Sequence, residues 1–250
     1  MSNKILFVFE GPKTEGKIVR SMQRVFMSEN TVLTCVFGAD IYQLYVKITN
    51  DADLDTFSLI KERNLKENEF LLDYSRNDFA EIYLFFDYDG HATRASDEKI
   101  AELLELFNEE TEKGKLYVSY PMSEAIRHIS DLESFKNSRV ACKENIGYKT
   151  LVGKESAPRF LHMNRYNESI WKELLNAHLK KANQLVWDDF ELPKSLLPQK
   201  IVFSNQLQKY ILPYREVSVL SAFPLFIHDY FGNDFTISML SSIEKNRNTT

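Results

Sequence analysis

The chain has 250 residues, 44% of them hydrophobic, and a formal net charge of −5. That suits one large globular domain, or a domain with a substantial extension. No apolar run approaches the ~20 residues of a membrane helix, Ile5–Phe9 is too short for a signal peptide and ends at Glu10, and two distant cysteines with five scattered histidines fit neither a disulfide scaffold nor a zinc motif. A cytoplasmic protein with no membrane contact is therefore expected.

In chain order, residues 4–9 read as a first strand, short, apolar and stopped at Glu10-Gly11. Thr14–Met27 reads as a helix with Ile18, Val19, Met22, Val25 and Phe26 on one face. Val32–Phe37 reads as strand two, and Asp40 as a cap for a helix over Ile41–Thr49. Residues 50–80 are polar and mixed and read as helix and loop. Ile82–Phe86 reads as strand three, followed by Asp87-Tyr88-Asp89-Gly90. A helix over Ser96–Phe107, a fourth strand over Leu116–Ser119 and a helix opening at Pro121 complete the pattern. This β-α alternation predicts a parallel sheet flanked by helices over residues 1–135. From 136 to 250 a mainly α-helical extension is predicted, with helices over Ser169–Leu185, Ile201–Tyr210 and Val217–Phe231. The apolar run Val219–Phe226 reads as core of that extension, with a partner-protein surface as the other reading.

Charge is unevenly spread. Residues 1–135 carry a net −10, residues 136–181 a net +6 and residues 182–250 a net −1. The basic stretch reads either as solvated helix faces or as a phosphate-binding surface, with Lys143, Lys149 and Lys154 as candidate substrate contacts. Tyr148, Phe160, His162, Tyr166 and Trp171 are interleaved there as candidates for stacking on bases.

Functional groups in open α/β sheets collect beyond the carboxyl ends of the strands. Glu10, Asp87 and Asp89 are then expected at one rim, where oxygen ligands suit a hard cation such as Mg²⁺. Glu10-Gly11-Pro12-Lys13-Thr14-Glu15-Gly16-Lys17-Ile18 nearly spells a phosphate-binding P-loop, but Ile18 stands where a Ser or Thr should meet Mg²⁺. Asp87-Tyr88-Asp89 is similar to the nucleophile loop of haloacid dehalogenase-like phosphatases. That motif belongs on a first strand and wants Thr or Val where His91 stands.

Both motifs together, in this order, resemble the Toprim domain. That family ends strand one in Glu-Gly and strand three in Asp-x-Asp. Here Glu10-Gly11 and Asp87-x-Asp89 stand about 77 residues apart, and the resemblance covers roughly residues 3–130. Glu15 completes an EGxxxE form that resembles the nuclease-type members, in which extra carboxylates assist a second metal. The chain lacks the length for a topoisomerase tyrosine module and the cysteines for a primase zinc module. What remains is similar to stand-alone Toprim nucleases of OLD-like, Gabija-like or PARIS-like phage-defence systems. The resemblance implies a Mg²⁺- or Mn²⁺-dependent nuclease acting on DNA or RNA, tRNA included, with an ATPase partner and a homodimer as expected associations.

Phosphodiester hydrolysis needs an activated water and stabilised attacking and leaving oxygens, which two metal ions can supply. Asp87 and Asp89 are expected to hold one ion, re-aimed by a turn at Gly90, and Glu10 to complete the set or act as general base. Glu15 is the candidate for the second ion, Glu124 for an additional ligand, and Lys13 for neutralising the scissile phosphate. The competing expectations are a catalytically silent Toprim fold that binds nucleic acid or a partner, and a P-loop-like NTPase.

Overall fold

The computed structural model describes residues 4–27, 31–50, 55–63 and 65–247, with side chains as far as residue 241. The chain is α/β, with a five-stranded, mostly parallel sheet flanked by helices and a mainly helical C-terminal region. It divides into two compact units, Met1–Ser123 and Glu124–Thr250. The residues between Glu124 and 135 thus group with the second unit. No helix among the described residues is long and apolar enough to cross a membrane.

In the first unit, β1 (Ile5–Phe9), α1 (Glu15–Phe26), β2 (Val32–Val36), α2 (Ile41–Asn50) and α3 (Thr56–Glu62) precede β3 (Glu81–Asp87). Then come α4 (Asp97–Leu106), the two-residue β4 (Asn108–Glu109) and β5 (Gly114–Ser119). The strand order is β2-β1-β3-β5-β4, with only β4 antiparallel. Every residue of β1 is buried, and so is β3 from Ile82 onward, which is why these strands read as unbroken apolar runs. One face is aromatic: Phe7 meets Tyr83 and Phe85 at 5.9 and 5.3 Å between ring centroids, and Phe85 stacks on Tyr117 at 5.6 Å. Alternation puts Leu6, Val8, Leu84 and Phe86 on the other face, all of them buried. Ile18, Val19 and Met22 form the buried stripe of α1.

Two features of this unit escape sequence reading. β4 is too short to leave a pattern. Residues 66–73 and 76–78 form 3₁₀ turns, and Asn68 within the first braces β2, its side chain bonding both the N–H and the C=O of Val36 at 2.8 and 2.7 Å. At the end of β2, Gly38 has φ +72° and its missing Cβ would lie 2.7 Å from Leu65 Cδ1. A larger residue there would be strained and would push against Leu65.

The second unit opens with the 3₁₀ turn that ends at Arg127, and continues through α5 (Leu132–Lys136), β6 (Arg139–Ala141) and α6 (Tyr148–Glu155). Pro121 does not open a helix: its peptide bond with Tyr120 is cis and the turn begins at Ser123. The central helix α7 (Glu168–Trp187) is capped by Asn167, whose side chain accepts from the Ile170 N–H at 3.0 Å. It buries Trp171, Leu174, Leu175, His178, Leu179 and Ala182.

After α8 (Gln199–Gln206) the helix widens to a π-helical turn over Leu207–Ile211 before α9 (Leu212–Tyr214). Pro213 accounts for this: it has no N–H to donate and its ring crowds the preceding turn. Val217 belongs to β7 (Glu216–Ser218), paired antiparallel with β6, rather than to a helix. Only from Ala222 does α10 (Ala222–Phe231) begin, and α11 (Asn233–Arg247) follows. The run Val219–Phe226 is buried throughout, so it is core and not a partner surface.

Candidate active site

β1 and β3 are adjacent parallel strands, but the chain runs from β1 outward to β2 before returning to β3. The sheet order reverses at that point, the place beyond the strand ends where ligands of open α/β sheets bind. Phe9 pairs with Phe85, which brings Glu10 level with the end of β3. The Asp87 N–H donates to Glu10 Oε2 at 3.4 Å. Asp87 itself is buried, and its Oδ1 accepts the Ser123 N–H at 2.7 Å. Ser123 Oγ donates to Glu15 Oε1 at 3.1 Å, and Glu15, the first residue of α1, is buried as well. Ser123, just beyond β5, therefore ties together carboxylates carried by β3 and α1.

Asp89 closes the loop. The left-handed residue here is Asp89 itself, at φ +43°, rather than Gly90. Aspartate tolerates this conformation better than most side chains. Its N–H donates to Pro121 O at 3.3 Å, and its Oδ1 lies 3.0 Å from His91 Nδ1.

The electrostatics follow from this crowding. Burial raises the Glu10 carboxyl from 4.5 to about 8; the Asp87 N–H opposes the rise, while the charges of Asp89, Glu15 and Asp40 add to it. Glu10 thus stands in a field of three further carboxylates. Asp40 was foreseen only as a cap, and it does cap α2, accepting the Gln43 N–H at 2.9 Å. Its second role, adding to the negative field at the rim, leaves no mark in the sequence. The same is true of Ser123, an ordinary serine until the fold sets its N–H against Asp87.

The donor set is all oxygen and strongly anionic, the chemistry a hard divalent cation requires. Among the described residues, no group of three or more His, Cys, Asp or Glu side chains is placed so as to hold a metal ion. Mg²⁺ commonly uses one or two carboxylates and completes its shell with water and phosphate. On donor chemistry, Glu10 and Asp87 meet that smaller requirement.

The other expected residues are spread more widely. Lys13 is exposed in the loop before α1 and is not among the groups that act on Glu10. Glu124, the first residue of the second unit, is buried, and its Oε1 lies 3.6 Å from Lys149 Nζ. Lys149 and Lys154 are exposed on α6, and Lys143 is half-buried. The proposed stacking aromatics are corrected: Tyr148, Phe160, Tyr166 and Trp171 are buried, and only His162 is exposed. Their spacing served the core of the second unit. Ile18 is fully buried in the α1 stripe, so the loop before it offers no oxygen at the position where a P-loop NTPase binds Mg²⁺.

No protein-family model, curated protein or solved structure is similar enough to this chain to count as a match.

Proposed function

We propose that the chain is a Toprim-type, Mg²⁺- or Mn²⁺-dependent nuclease that hydrolyses phosphodiester bonds of DNA or RNA, tRNA included. The observation that supports this is the gathering of Asp89, Glu15 and Asp40 around a Glu10 carboxyl raised to about 8 at the end of the strand pair β1–β3. Asp87, bonded through its N–H to Glu10, joins them. So much negative charge next to half-buried oxygens is costly unless a cation or a proton offsets it.

In this reading Asp87 and Asp89 hold one ion with water and phosphate completing its shell, Glu15 assists a second, and Glu10 either completes the set or acts as general base. Bound divalent ions would offset phosphate charge and lower the pKa of a coordinated water. Ser123 positions Asp87 and Glu15 through its N–H and Oγ. As general base, Glu10 would take the proton of an attacking water once bound cations offset the burial and neighbouring carboxylates that raise its carboxyl. Lys13 approaches the phosphate from the exposed loop and offsets its charge. The Glu10-Gly11 and Asp87-x-Asp89 resemblance also supports a cytoplasmic role as effector of a prokaryotic anti-phage system, with an ATPase partner and a second copy of the chain.

A second reading is a catalytically silent fold of the same type that holds nucleic acid or a partner. The lack of any three-ligand group among the described residues favours it. The two are separated by incubating plasmid DNA and total tRNA with the protein, in Mg²⁺ or Mn²⁺ against EDTA, for wild type and Asp87→Ala. Cleavage that needs metal and disappears in the variant supports the nuclease. Metal binding without cleavage of either substrate supports the binding module.

A further inference from the structure

Several part-buried cations of the second unit have oxygen partners, and Lys136 lies over the Phe190 ring at 5.2 Å. Lys172 reaches Glu168 at 2.8 Å, Lys180 reaches Glu191 at 3.1 Å and Lys209 reaches Asp188 at 2.8 Å. Lys181, fully buried, donates to the carbonyls of Phe135 and Ser138, each at 2.7 Å. Even the exposed Arg139 and Arg159 face Glu216 and Glu173 at 3.5 and 2.9 Å.

Arg127 departs from this pattern. It closes the 3₁₀ turn that begins at Ser123 and is part-buried, and its Nε is buried with no hydrogen-bond acceptor among the described residues. No carboxylate among the described residues pairs with it. An unmet buried donor is destabilising, and more so when it is charged. The fold tolerates that cost without supplying an anion of its own.

The backbone next to Arg127 is held by its neighbours. The Tyr166 hydroxyl, which donates to Phe160 O at 2.6 Å, senses the Arg127 charge; that charge opposes the upward push of burial on the phenol. The Ala157 N–H donates to Ile129 O at 2.8 Å. His128 lies 3.0 Å from the Tyr148 hydroxyl and 2.8 Å from Glu155 Oε2. These bonds pin residues 127–129 against α6 and the loop that follows it. The same stretch presents Lys149, Lys154, His162 and Arg165 at the surface.

We propose that Arg127 is a phosphate-binding residue of the second unit and takes one phosphate of a nucleic-acid backbone. The planar guanidinium offers parallel donors that match two phosphate oxygens. Exposed cations on the residues that follow, Lys154, His162 and Arg165, suit a polyanion better than a single carboxylate. The assignment rests on the nucleic-acid substrate proposed above, but it adds a residue outside the basic 136–181 stretch.

The test measures binding without cleavage. The full chain in EDTA is titrated with fluorescently labelled DNA and RNA oligonucleotides over a salt series, as wild type, Arg127→Gln, Arg127→Lys and the charge control Lys194→Gln. Lys194 is exposed and lies outside this patch. Arg127→Gln is expected to weaken binding about tenfold and to lower the salt slope by about 1. Arg127→Lys should fall between, and Lys194→Gln should bind as wild type does. Arg127→Gln should melt no lower than wild type, because it removes an unmet donor; should it misfold, Arg127→Lys carries the comparison. Wild-type affinity in both Arg127 variants overturns the proposal, as does a wild-type chain that binds no oligonucleotide. Lost binding in Arg127→Gln supports it even where no cleavage is ever seen, and cleavage with unchanged binding defeats this inference alone.

Discussion

Replacing Glu10 with Gln tests the carboxylate cluster without any knowledge of substrate. The amide keeps an oxygen to accept the Asp87 N–H, now bonded at 3.4 Å, and removes the charge. Burial, aided by Asp89, Glu15 and Asp40, raises the Glu10 carboxyl from 4.5 to about 8. The folded state therefore holds a proton that the unfolded state releases. Stability contributed by the protonated carboxyl is complete below pH 4.5 and is lost as pH rises through about 8. The loss amounts to about 3 kcal/mol at pH 7 and about 5 kcal/mol at the alkaline plateau. For a chain of this size 3 kcal/mol corresponds to roughly 6–12 °C in Tm. Thermal unfolding of both proteins from pH 4 to 9 in EDTA should show wild type falling below Glu10→Gln as pH rises. Mg²⁺ should then raise the wild-type Tm more than that of the variant, because an ion that binds only the folded state stabilises it by mass action. Parallel pH curves for the two proteins would refute the crowded, desolvated cluster.

Asp87→Ala and Asp89→Asn should each lower metal-dependent cleavage by roughly 100-fold, since even the partners that orient metal ligands are worth about 10–100-fold. Asp87→Ala should also cost about 1–3 kcal/mol in a denaturant titration, because the buried Ser123 N–H loses its acceptor. His178 responds to pH in the opposite sense to Glu10. Burial lowers it from 6.5 to about 3, and its ring nitrogens bond Ile126 O and the Ser221 N–H, each at 3.2 Å. Its stabilising share is present above pH 6.5 and is lost as pH falls toward 3, about 2 kcal/mol by pH 5. A His178→Gln variant should show a flatter acid limb in thermal unfolding. Neutralising Lys143, Lys149 and Lys154 together should weaken oligonucleotide binding and flatten its salt dependence. Unchanged affinity across the salt series would remove those lysines from the substrate path.

Strands buried on both faces announce themselves, because nothing polar interrupts them. That is why Ile5–Phe9 and Ile82–Phe86 were legible, and why Glu10, Asp87 and Asp89 could be assigned to one rim from glycine-terminated runs alone. The amphipathic stripe of α1 and the Ser96 cap of α4, which accepts the Lys99 N–H at 3.3 Å, were legible for similar local reasons. Val217 and the π-helical turn were not, since a three-residue strand and a proline adjustment are settled by neighbours rather than by period.

The aromatics between Tyr148 and Trp171 show the same limit from the other side. Composition cannot distinguish a stacking surface from a core, and burial decided for the core. The sequence by itself therefore determined the strand ends and the acids that follow them, because period and glycine stops act over a few residues. Only the tertiary structure decided that Ser123 binds both Asp87 and Glu15, that Asp40 charges the same rim, and that Arg127 stands without an anion. Those facts depend on which distant backbone and side-chain groups the sheet order and helix packing bring within a few ångströms of each other.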